Sequence, residues 1–65
     1  MFIAVHNEYG NLTLINIDRI ATVYGGGIIL KNGKKITPRE GMDKVIDALK
    51  SAELVIEVKG NKGNE

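Results

Sequence analysis

Apolar residues recur along this chain at two spacings, and the change between them marks a change of element. Up to Ile36 they come in short blocks separated by polar, glycine-bearing punctuation; later they recur at Met42, Val45, Ile46 and Leu49. Short blocks bounded by turn residues predict strands, and the later spacing predicts a helix with one apolar face. The strands fall at residues 2–7, 12–16, 20–24, 28–30 and 34–37, and the alternation at 54–58 predicts a last one. Glu8-Tyr9-Gly10-Asn11 turns the first strand back onto the second. The sharpest hairpin signal is Asn32-Gly33, between Ile28-Ile29-Leu30-Lys31 and Lys34-Lys35-Ile36. Asn and Gly tolerate the positive φ angles of a type I′ turn, so that turn is expected here. Asn16-Ile17-Asp18-Arg19 predicts a corner, and Gly25-Gly26-Gly27 a flexible connection.

The helix start is set by two competing signals. Thr37-Pro38-Arg39-Glu40 has the form of a capping box with proline at the first helical position. That reading would put Gly41 inside the helix, at about 1 kcal/mol against alanine. The apolar periodicity begins only at Met42, so Gly41 is placed near the cap. Asp43 then lies in the first turn and Lys50 near the other end, each with the sign the helix dipole favours. Ser51-Ala52-Glu53 breaks the helix, and residues 60–65 have the composition of a disordered tail.

These elements predict an α+β fold: an antiparallel sheet of five to six short strands with one amphipathic helix packed on one face. Residues 1–59 form a single domain in this reading. The strand faces are not cleanly divided, however. Ile3 and Val5 lie opposite Phe2 and Ala4; Leu12 and Leu14 lie opposite Ile15; Ile28 and Leu30 lie opposite Ile29. A sheet with one wet face alternates apolar-in and polar-out. Phe2, Ala4, Ile15 and Ile29 therefore point to a second face that needs cover. A symmetric homodimer would supply it, and so would a sheet coiled back on itself as a small barrel.

Size sharpens that expectation. A chain of 65 residues buries only ~60% of the surface exposed by its unfolded form and gains from a staple. It has no cysteine, and the lone His6 argues against a structural zinc site. A partner subunit is the remaining staple. The net charge of +1 supplies no field to steer nucleic acid. Residues 1–5 are too short an apolar run for a signal-peptide core, and nothing approaches a membrane span, so a cytoplasmic protein without membrane insertion is expected.

Candidate chemistry is sparse. Gly27 and Gly33 miss the phosphate-loop spacing, and Lys35 stands where that loop needs a hydroxyl. His6 and Glu8 could meet as an acid/base pair, but no third ligand or nucleophile is in view. Asp43 and Asp47 lie one helical turn apart and read as the solvent face of the helix. No catalytic, cofactor-binding or metal-binding residue is assigned, and no cofactor is expected. Lys31, Lys34 and Lys35 cluster at the hairpin tip with Arg39 nearby, and Tyr9 and Tyr24 could stack bases.

Three strings together resemble the small flagellar FlbD family, also called the swarming motility protein SwrD family. They are Asn16-Ile17-Asp18-Arg19-Ile20, the run from Ile28 through Asn32-Gly33-Lys34-Lys35-Ile36, and Glu40-Gly41-Met42-Asp43-Lys44-Val45-Ile46-Asp47. The similarity runs from Phe2 to about Leu49. It departs from the family at Gly25-Gly26-Gly27, where an acidic, proline-containing turn is usual, and at residues 54–58, where family tails are more helical. The resemblance implies a non-enzymatic cytoplasmic accessory of flagellar motor function or motility, and it transfers no functional residue.

The expected function is a non-catalytic protein-interaction module, homodimeric and binding a further, unidentified protein. Its contact residues are expected among Phe2, Ala4, Ile15, Ile29, Lys31, Lys34 and Lys35. The alternative is a small nucleic-acid-binding or phage or mobile-element regulatory protein using the Lys31/Lys34/Lys35 tip.

Overall fold

The computed structural model describes residues 1–59; the tail expected at 60–65 lies outside them. Five strands precede one helix: β1 (Phe2–His6), β2 (Leu12–Asn16), β3 (Ile20–Tyr24), β4 (Gly27–Leu30), β5 (Lys35–Ile36) and α1 (Met42–Ser51). The α+β class is as expected, but the strands form two antiparallel sheets, β1-β2 and β3-β4-β5. The division falls at the predicted corner. There Asn16 accepts a hydrogen bond from the Asp18 N–H, and Ile17–Arg19 make one 3-10 turn between β2 and β3.

Both hairpin loops are three-residue loops, in place of the four-residue turn expected at 8–11 and the two-residue turn expected at Asn32-Gly33. In the second, the Gly33 N–H donates to the Leu30 carbonyl and the Leu30 N–H to the Lys34 carbonyl, each at 2.8 Å. Gly33 has φ 88°, while Asn32 stays on the negative side. This is a three-residue loop, a type I turn followed by a left-handed glycine. Asn32 acts through its side chain instead, accepting the Lys34 N–H at 2.9 Å. The first loop repeats the plan: Gly10 has φ 84°, and the Asn7 side chain accepts the N–H groups of Tyr9 and Asn11, both at 3.0 Å.

The two sheets and the helix enclose one core of Val5, Ile15, Ile28, Ile36, Met42, Val45 and Leu49, with Ile28 fully buried. Ile3, Ile17, Ile20, Val23 and Leu30 pack around it. The helix starts after Gly41, as the periodicity predicts, and buries Met42, Val45 and Leu49. Ile46 is half-buried on one flank. Those three side chains contribute on the order of 5 to 9 kcal/mol before entropy is counted.

The helix ends in a Schellman motif. The Leu54 N–H donates to the Leu49 carbonyl at 3.0 Å and the Glu53 N–H to the Lys50 carbonyl at 2.9 Å. This requires Glu53 at φ 60°. The strand expected at 54–58 does not form. The motif turns Leu54 and Val55 into a cleft with Ile46, Ile20 and Val23, and the segment pairs with no strand. Ile56 is left 93% and Val58 87% exposed.

Candidate interaction surface

Register decides which side chains of the first hairpin reach water. Ile3 pairs with Ile15 and Val5 with Thr13, and these pairs face the core. Ala4 pairs with Leu14, His6 with Leu12 and Phe2 with Asn16, and these face outward. The outer face therefore carries Phe2, Leu12 and Leu14 at 60%, 66% and 62% exposure, with Ala4 between them. Large side chains this exposed are common singly, but a contiguous set of them marks a contact surface.

Two of the expected contact residues do not belong to this face. Ile15 is 3% exposed in the core. Its partner across the ladder is Ile3, so the two leucines of β2 point out and the isoleucine points in. Ile29 is half-buried beside Thr22 and Lys35, on the outer side of the other sheet. Leu12 and Leu14 are the residues missed. Their spacing on one strand face was legible, but which face is wet follows from the pairing with β1.

The far end of β1 is closed by the segment entering the helix. The Glu40 carboxylate accepts the His6 N–H at 2.9 Å and 3.0 Å and lies 2.6 Å from the imidazole Nδ1. The side-chain hydrogen bond from His6, then its main-chain N–H, holds Glu40 well below the usual carboxylate range, at about 2. With Glu40 ionised, the short contact requires the proton on Nδ1. The Arg39 N–H donates to the His6 carbonyl at 2.7 Å. Its guanidinium donates to the Glu8 carbonyl at 3.0 Å. Arg39 also lies so close under the first loop that a Cβ on Gly10 would sit 2.8 Å from Nη1. His6 therefore meets Glu40 rather than the expected Glu8. No local pattern announces a contact across this sequence separation.

His6 also reveals the direction of the β1 main chain. Its N–H and carbonyl point away from β2, so by alternation those of Ala4 and Phe2 do too. Met1 confirms the phase, since its carbonyl accepts from the Ile17 N–H on the β2 side. Beside this free edge runs an open groove of about 340 Å³, lined by Phe2, Ala4, Lys44, Ala48, Ala52 and Leu54 among others.

The basic tip is smaller than expected. Lys31 and Lys34 are exposed at the second loop. Lys35 lies over the Tyr24 ring at 5.6 Å, and Arg39 is committed to the first hairpin. Among the described residues, no three His, Cys, Asp or Glu converge where a metal ion could bind. No helix of the described residues is long and apolar enough to cross a membrane. No protein-family model, curated protein or solved structure matches the chain.

Proposed function

We propose that this chain is a non-catalytic protein-interaction module whose contact surface is the outer face of the β1–β2 hairpin. The observation that supports it is the exposed set Phe2, Ala4, Leu12 and Leu14 on a two-stranded sheet whose other face packs on the core through Val5 and Ile15. Covering Phe2, Leu12 and Leu14 is worth on the order of 3 to 6 kcal/mol before the cost of association. The hairpin is rigid where docking needs rigidity. Asn7, Arg39 and Glu40 hold its loop and its far edge, so little entropy is lost on binding. The partner class is therefore a protein with a complementary apolar surface. The resemblance to the swarming-motility family supports a role as a motility accessory.

The lysine tip favours nucleic acid less. Its single neighbouring aromatic, Tyr24, is already covered by Lys35. The test is capture from the native host with the intact chain and with a Leu12→Glu, Leu14→Glu variant. Both leucines are exposed, so the variant keeps its melting temperature and loses the captured protein. An undiminished capture would overturn the reading. So would salt-sensitive retention on DNA that disappears when Lys31, Lys34 and Lys35 are changed to glutamate.

A further inference from the structure

We infer that the free edge of β1 pairs with the β1 of a second copy, giving a two-fold dimer with a continuous four-stranded sheet. This rests on the reading of the first hairpin as a contact element and names a partner for its edge rather than its face. The edge is self-complementary in length. His6 cannot extend a ladder, because Glu40 takes its N–H and Arg39 its carbonyl. The free stretch is then Phe2 to Ala4. A two-fold axis at Ile3 sets Phe2 against Ala4 of the second copy, and Ala4 against Phe2. Both residues exchange N–H and carbonyl, as antiparallel hydrogen-bonded pairs do. In that register every edge group left open among the described residues finds a partner, and every group that is capped stays outside.

The helix flank admits the second copy. Lys44 and Ala48 lie one turn apart on the side of α1 that borders the groove, and Ala52, the helix C-cap, continues that row. With alanine at two of these positions, α1 and its symmetry mate can approach closely on the inner side of the joined sheet. Leu54 and the two alanines come together there, while Phe2 stays on the outer face. The open edge spans only Phe2 to Ala4, so the contact is small and the self-association it supports is weak. Such an arrangement is isologous: it uses both β1 edges in one two-fold contact and leaves β2 at each end of the joined sheet.

The experiment is sedimentation equilibrium of the full chain from low micromolar to millimolar concentration. The intact chain should move from monomer to dimer. Ala4→Pro removes the edge N–H without touching the ladder to β2, and Ala48→Glu puts a charge on the axis side of the helix. Each should weaken the dimer by at least about tenfold while circular dichroism shows the monomer fold intact. Because the chain has no cysteine, a mixture of Phe2→Cys and Ala4→Cys proteins should form a mixed disulfide that neither forms alone. Leu12→Glu strikes the outer face away from the axis. It should keep the dimer while losing the captured protein, so the two proposals fail separately. A monomer at every concentration would overturn the inference. So would a dimer that ignores Ala4→Pro and Ala48→Glu but is lost in Ile56→Asp, Val58→Asp, which would assign the contact to the C-terminal segment.

Discussion

Replacing Glu53 by glycine should raise the stability of this protein. Glu53 occupies the left-handed position of the Schellman motif at φ 60°, and among the described residues it is the one non-glycine with a positive φ. An L side chain there brings Cβ against the following carbonyl, at about 1 to 2 kcal/mol. Glycine removes that strain, but it also adds roughly 0.4 to 1 kcal/mol of conformational freedom to the unfolded chain. The net gain is about 0.5 to 1 kcal/mol, which for a domain this small is roughly 2 to 8 °C in melting temperature. Nothing offsets it, since the Glu53 side chain makes no hydrogen bond or ion pair among the described residues. The assay is thermal unfolding followed by circular dichroism, with Glu53→Ala as the control. Alanine also removes the carboxylate but keeps Cβ, so it should give little of the gain. A Glu53→Gly protein that melts with the alanine control or below the parent would refute the reasoning.

Other predictions concern the core, the edge cap and the first loop. Ile28 is fully buried, so Ile28→Ala should cost about 2 to 5 kcal/mol. That is a large share of the roughly 3 to 10 kcal/mol available to a domain of this length, and urea titration should show the unfolding midpoint falling by a comparable share. Glu40 is depressed from 4.5 to about 2 by His6. Its contribution is therefore complete above pH 4.5 and is lost as pH falls toward 2. A Glu40→Gln protein should lack that segment of the stability–pH curve, measured as a difference against the parent. Gly10→Ala should destabilise by about 1 to 3 kcal/mol, because the residue is left-handed and the new Cβ meets Arg39. Chemical denaturation at neutral pH checks it.

The parts of this fold that were legible in the chain are those written by local chemistry. The helix was placed correctly at Met42 because a periodic apolar face and the poor fit of Gly41 inside a helix agreed. The corner at 16–19 follows from the Asn16 side chain, and both hairpins follow from their turn residues. The Asn32-Gly33 turn type was missed because Asn can serve a turn in two ways, by a positive φ or by its side-chain oxygen, and here it does the second. A count of apolar residues puts Ile15 on the outer face, because two leucines outweigh one isoleucine, whereas the ladder to Ile3 turns it into the core. Residues 54–58 alternate like a strand, but alternation describes a segment fit for an edge and cannot supply one. Glu40 was legible only as a helix cap. Its actual role on His6 depends on a tertiary crossing that no spacing encodes.

The outer face of the first hairpin is proposed as a protein-docking surface, and crosslinking in the cell can test it. The most direct measurement places a photo-reactive residue at position 12, 34 or 47 of the intact chain and irradiates it in the native host. A docking face on the first hairpin should give a discrete protein adduct from position 12 and none from the helix face at 47. Adducts to nucleic acid from position 34, with position 12 silent, would contradict it.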